Sequence, residues 1–124
     1  MPEPLTRRLA PEIFRKRMLI EGYVAREALD AEAIREYFRV ITARLGLRTY
    51  GEPIVHQTSG QGKASNEGFD AFVPLIDSGI YVCVWSARRF MSVIIYTCAE
   101  FDAAAATDAT RAFFELTAWE TALF

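Results

Sequence analysis

Hydrophobic and polar positions change period several times along the chain, and each change marks an element. Residues 1–11 hold Pro2, Pro4 and Pro11 with no periodic apolar run, the pattern of a loose arm. Residues 18–26 read as a strand interrupted at Gly22. From Asp30, a candidate N-cap, Ile34, Tyr37, Phe38, Ile41 and Leu45 recur at three-and-four spacing, and Gly46 is a stop signal. This predicts a helix with one apolar face, which needs a flat apolar partner. Residues 47–55 read as a second strand broken at 51–53, and residues 57–68 as a polar, glycine-containing loop.

Beyond that loop the pattern becomes strongly β-like. Residues 69–76, 79–86 and 90–98 are each rich in aromatic and β-branched side chains. Asp102 then caps a second helix, predicted to run through the alanines to about Leu123, with Ala109, Ala112, Phe113, Leu116 and Trp119 on its buried face. The order β-α-β-β-β-β-α has no regular βαβα alternation. It predicts an α+β two-layer sandwich, an antiparallel sheet with two helices packed on one face. The organisation expected is an N-terminal arm over 1–17 and a single domain over 18–124.

Composition narrows the function classes. With 124 residues, 52% of them hydrophobic, the chain can bury one real core. Fourteen Lys and Arg against sixteen Asp and Glu leave a net charge of −2, too balanced for a nucleic-acid binder. No apolar run approaches the ~20 residues that span a bilayer, so a cytoplasmic protein with no membrane partner is expected. Two cysteines are too few for a disulfide framework. The single histidine, His56, leaves no His-rich metal site, and no metal is expected.

The candidate chemistry lies around Ser78, Cys83 and Cys98. The last two strands are separated by Ala87, Arg88 and Arg89, short enough for a tight hairpin. If its turn centres on Arg88, or between Arg88 and Arg89, Cys98 falls opposite Ser78 or Gly79, so hydroxyl and thiol become neighbours. Cys83 shares a face with Gly79 and stands roughly 13 Å along the strand, too far for an easy disulfide with Cys98. The residues alone also allow a plainer reading, with Ser78 as a polar strand-entry residue and both thiols as small apolar fillers.

The segment Pro74-Leu75-Ile76-Asp77-Ser78-Gly79-Ile80-Tyr81-Val82-Cys83-Val84-Trp85, continued to Tyr96-Thr97-Cys98, resembles the signature of the short bacterial and archaeal S-adenosylmethionine decarboxylase proenzymes. Asp77 and Ser78 match the cleavage pair, Trp85 the tryptophan, and Thr97-Cys98 the cysteine motif at the family's own spacing. The resemblance implies self-cleavage between Asp77 and Ser78, with Ser78 converted into a catalytic pyruvoyl group and Cys98 serving as general acid. It further implies a lyase acting on S-adenosylmethionine in polyamine biosynthesis, and a homodimer.

The same comparison locates departures. The family's processing histidine falls on Cys83, its processing serine on Asp70, the histidine after the cleavage serine on Gly79, and its ribose-binding glutamate on Ala87, beside Arg88 and Arg89. Cys83 is retained as a catalytic candidate, because a thiol can relay a proton. Trp85, Glu67 and Asp70 are the substrate-binding candidates. Loss of the carboxylate at Ala87 removes a bidentate acceptor for a sugar diol, which leaves a different amino acid open as substrate. An unprocessed, catalytically silent homologue acting as a ligand-binding or regulatory subunit is the other reading, and a sandwich matching the motif by chance a third.

Overall fold

The computed structural model describes residues 8–59 and 67–124, in which six strands form one sheet. In chain order the elements are β1 (Lys16–Val24), α1 (Ala31–Leu45), β2 (Ile54–Ser59), β3 (Glu67–Leu75), β4 (Ser78–Trp85), β5 (Phe90–Thr97), α2 (Ala103–Phe114) and β6 (Leu116–Leu123). The sheet order is β2-β3-β4-β5-β1-β6, and every adjacent pair is antiparallel. Both helices lie on one face, giving the α+β two-layer sandwich expected from the order of elements.

Alternation decides what each strand buries. Phe69, Ala71, Val73 and Leu75 of β3, Ile80, Val82 and Val84 of β4, Met91, Val93 and Ile95 of β5, and Met18 and Ile20 of β1 join one core with Ile34, Tyr37, Phe38 and Ile41 of α1 and Ala106 and Phe114 of α2. Asp30 caps α1 as expected, accepting from the Ala33 amide at 2.8 Å, and Gly46 closes it in the left-handed region at φ 67°. Tyr37 bridges the helices. Its hydroxyl lies 2.8 Å from that of Thr110, both residues are fully buried, and burial raises the phenol well above its ordinary range.

The main correction concerns the C-terminus. Helix α2 ends at Phe114, and the stretch expected to extend it to Leu123 is strand β6, paired with the free edge of β1 from Met18↔Leu123 to Val24↔Leu116. The break falls at Glu115, which takes the left-handed conformation (φ 53°, ψ 57°) without the glycine or asparagine that would announce it. Of the expected helical face, Ala109 is buried, Ala112 is exposed, and Leu116 and Trp119 belong to the strand.

Smaller boundaries also move. β1 passes through Gly22 without a break, because that position faces Ala118 and Trp119 of β6 so closely that a Cβ would lie 2.5 Å from the Ala118 carbonyl. The strand expected over 47–55 is reduced to an isolated bridge, Thr49↔Leu75, followed by β2. The loop expected over 57–68 is partly strand, since β2 runs to Ser59 and β3 starts at Glu67; its middle, like residues 1–7 of the expected arm, lies outside the described residues, and the last two arm residues, Lys16 and Arg17, begin β1. No helix among the described residues is long and apolar enough to cross a membrane.

Candidate active site

The β4–β5 hairpin places the candidate chemistry. Its turn takes four residues, Ser86 to Arg89, closed by the Arg89 amide on the Ser86 carbonyl at 3.2 Å. Trp85 therefore faces Phe90 and Ser78 faces Thr97, one position from the register expected from sequence. The difference arises because the turn centres between Ala87 and Arg88, with Arg89 in the left-handed region at φ 50°. Cys98 lies just past the end of β5, opposite Asp77.

The shift sets Cys98 opposite Asp77 and keeps its sulfur within reach of Ser78. The Cys98 amide donates to the Asp77 carbonyl at 2.9 Å, and the Cys98 thiol donates to the same oxygen at 3.5 Å. The Ser78 hydroxyl donates to Cys98 Sγ at 3.8 Å. Ser78 itself is held at φ 129°, a region that residues with side chains rarely enter. Asp77 is anchored from the other side, by Arg48 Nη2 at 3.3 Å from its carboxylate, while the Ile76 amide donates to the Arg48 carbonyl at 2.9 Å.

A second cluster lies on the sheet face opposite the helices. Asp70 and Cys83 are cross-strand partners, and the Cys83 thiol donates to Asp70 Oδ1 at 3.2 Å. Tyr81, two residues before Cys83, donates to the same oxygen at 3.4 Å. Burial, and then the neighbouring carboxylate, push the Cys83 thiol up to about 11. Tyr81 is pushed up to about 12, chiefly by its hydrogen bond with Cys83 and by burial. His56 on β2 is the cross-strand partner of Asp70 and is exposed. Five residues of strand separate Cys83 from Ser78, about 16 Å.

The remaining candidates occupy the far end of the sheet. Trp85 is half-buried, with its ring 5.6 Å from that of Phe90, and Phe90 meets Tyr23 at the same spacing. Glu67 is exposed beside it, and its carbonyl accepts from the Ser86 amide. Within one chain, therefore, the structure joins Asp77, Ser78 and Cys98, joins Asp70 and Cys83 separately, and leaves Trp85 and Glu67 apart from both. Arg89 holds backbone, with Nε on the Val24 carbonyl at 3.0 Å and Nη2 on the Arg26 carbonyl at 2.7 Å. Among the described residues, no group of three or more His, Cys, Asp or Glu is arranged to hold a metal ion.

The family model described as S-adenosylmethionine decarboxylase matches residues 16–123, nearly the whole chain. The chain belongs to the S-adenosylmethionine decarboxylase family. Its fold is similar to the crystal structure of the adenosylmethionine decarboxylase from Aquifex aeolicus, at a TM-score of 0.67 and 18% identity, covering 90% of this chain and 89% of that one. No curated protein matches the sequence.

Of the positions expected to depart from the S-adenosylmethionine decarboxylase pattern, Cys83 and Asp70 form the outer-face cluster, Ala87 lies in the hairpin turn and Gly79 directly follows Ser78, while Asp77, Ser78 and Cys98 are in contact. Arg48 goes unnoticed in the sequence, Tyr81 lies in the quoted motif without a role, and Lys16 reads only as part of a short basic stretch, Arg15 to Arg17, of the solvated kind. Tyr81 could have been found, since it sits two positions from Cys83 on the same strand face. Arg48 is 29 residues from Asp77, and Lys16 is 84 from its partner Glu100. Neither separation leaves a local signal.

Proposed function

We propose that this chain is a self-processing, pyruvoyl-dependent decarboxylase of S-adenosylmethionine or a related amino acid, cleaved between Asp77 and Ser78. The observation that carries the reading is the grouping at the Asp77–Ser78 bond: the Cys98 amide and thiol both donate to the Asp77 carbonyl, and the Ser78 hydroxyl, held in strained backbone, donates to the same Cys98 sulfur. A carbonyl accepting two donors is polarised toward attack, and oxyanion charge developing on it is stabilised where it forms. The Ser78 oxygen adds to that carbon and the Asp77–Ser78 C–N bond breaks, which converts the amide to an ester. Loss of the Ser78 α-proton then opens the ester by elimination, freeing the Asp77 carboxylate and leaving a dehydroalanine, whose imine tautomer is hydrolysed by water to the pyruvoyl carbonyl with release of the Ser78 nitrogen as ammonia. Strain of order 1–3 kcal/mol at Ser78 favours leaving the intact chain.

The residues present fit the group that this processing produces. A pyruvoyl carbonyl supplies an electron sink for decarboxylation, and Cys98 holds a proton on a thiol beside it. The turn residues Ser86, Ala87, Arg88 and Arg89 include no carboxylate for a ribose diol, so substrate selection rests on other groups. Trp85, Glu67 and Asp70 are retained as substrate-binding groups, and because Trp85 stands seven strand residues from Ser78, about 23 Å, they would meet a substrate held at Ser78 from a second copy. Cys83 and Asp70 stand about 16 Å along the sheet from Ser78, so any role for them at a cleavage bond requires a second copy.

A homodimer through the outer sheet face is part of this reading. Tyr23, Ile54, Phe72, Tyr81, Ile94 and Tyr96 all expose apolar surface there, Tyr23 and Ile54 more than half of theirs. A cytoplasmic location completes it.

Intact mass under denaturing conditions tests the proposal. Two fragments divided between Asp77 and Ser78 are expected, the C-terminal one blocked to Edman degradation, while Ser78→Ala stays whole. A single 14.0 kDa wild-type chain overturns it and leaves the silent regulatory homologue. The observation favouring that second reading is Cys83, a thiol held protonated at neutral pH where the family pattern has an imidazole.

A further inference from the structure

Cys98 lies on the five-residue connection between β5 and α2, and nothing in that connection is regular structure except its two ends. A thiol on such a segment keeps a defined position only if the segment itself is pinned. Thr97 pins its start, with Oγ1 donating to the Ala99 carbonyl at 2.6 Å. Its end is held from another strand. Lys16, the first residue of β1, is the cross-strand partner of Thr97, and its ammonium donates to the Phe101 carbonyl at 2.6 Å and to the Glu100 carboxylate. The same nitrogen stands 4.6 Å from the centre of the Phe101 ring, and the Phe101 amide donates back to Glu100 at 3.1 Å.

This is an unusual use of a lysine. Its side chain is only 14% exposed, and one ammonium gathers a carboxylate, a carbonyl and a ring face from two consecutive residues. Three donors radiating from one point suit the task. Phe101 is itself 3% exposed and part of the core, so a segment tied to it cannot drift. The contacts converge three residues after Cys98 and across the sheet from Thr97, on the only chain segment that carries the thiol.

We propose that Lys16 is a positioning residue for Cys98: it clamps the connection through Glu100 and Phe101 and so holds the thiol against the Asp77 carbonyl and the Ser78 hydroxyl. The assignment of catalytic value to that placement rests on the decarboxylase reading, but the clamp does not.

The test uses thiol alkylation by iodoacetamide in the uncleaved Ser78→Ala, Cys83→Ser protein, where Cys98 is the single thiol. Lys16→Met is expected to speed alkylation several-fold at fixed pH, because a released thiol loses its hydrogen bond to the Asp77 carbonyl. Lys16→Arg, which keeps a donor fork, is expected to restore most of the protection. Merely removing a nearby positive charge would do the opposite, since a thiolate is disfavoured by that loss. An unchanged or slower rate in Lys16→Met therefore overturns the proposal. Should Lys16→Met fail to fold, Lys16→Gln, which also removes the charge but keeps a polar head, is read in the same assay, and an unchanged or slower rate there overturns it equally.

In the processed enzyme, Lys16→Met is expected to lower kcat at unchanged KM, with Lys16→Arg rescuing. Alkylation that responds while the wild-type chain remains whole refutes the decarboxylase reading alone. Alkylation that does not respond in a chain that cleaves refutes the clamp alone.

Discussion

The backbone amide of Cys98 and its own thiol both address one atom, the carbonyl oxygen of Asp77, at 2.9 Å and 3.5 Å. The two contacts differ in what a mutation can remove. Cys98→Ala deletes the thiol and keeps the amide. If the family chemistry operates, it is expected to leave the fold intact while lowering decarboxylation by roughly 10²–10⁴-fold, the usual worth of a general acid. Carbon dioxide release measured beside the circular dichroism spectrum checks this, and full activity in the variant refutes a proton-donor role.

Cys83 is expected to behave as an inert thiol at neutral pH. Its raised value means that alkylation of Cys83 in a Cys98→Ser background rises only as pH approaches about 11. Asp70→Asn removes the carboxylate that disfavours the thiolate and should move the profile down; mass-resolved alkylation across pH reads both. The stability consequence has a definite sign. A thiol whose folded value lies above its unfolded value of 9.0 contributes stability that is fully present below pH 9 and is lost as pH climbs toward about 11.

Tyr37→Phe tests the buried bridge between the helices. The variant fills the same space but leaves the Thr110 hydroxyl without its 2.8 Å partner in a fully buried site. A loss of about 1–3 kcal/mol is expected from an unsatisfied buried hydroxyl. Urea denaturation measures it, and the double variant Tyr37→Phe, Thr110→Val should recover part of the loss.

Glu21 and Glu120 are direct cross-strand partners on β1 and β6, and Ser92 supplies Glu21 with a hydroxyl donor at 2.9 Å. Like charges directly opposite one another are destabilising. Glu120→Gln is therefore expected to stabilise the fold by roughly 0.2–1 kcal/mol, with the gain shrinking in high salt as the repulsion is screened. Paired denaturation curves at low and high salt decide it.

Several elements are determined by local signals in the sequence. Helix α1 announces itself through Asp30, the periodic apolar face and Gly46, because caps and period are properties of neighbouring residues. The aromatic and β-branched runs likewise mark β3, β4 and β5, and their order without βαβ alternation is enough for an antiparallel α+β sandwich. Asp77, Ser78 and Cys98 were legible as a motif.

The folded chain decided the rest. Residues after Glu115 continue the apolar spacing of a helix, yet the open edge of β1 offers a full ladder of backbone partners, and pairing with that distant strand outweighs local propensity. The register at Ser78 depended on how many residues the turn consumed, a quantity set by the backbone of Arg89 rather than by its identity. The separation of Cys83 and Asp70 from Ser78, and the clamp of Lys16 on the Cys98 segment, are contacts between residues far apart in sequence, and only packing in three dimensions brings such groups together or keeps them apart.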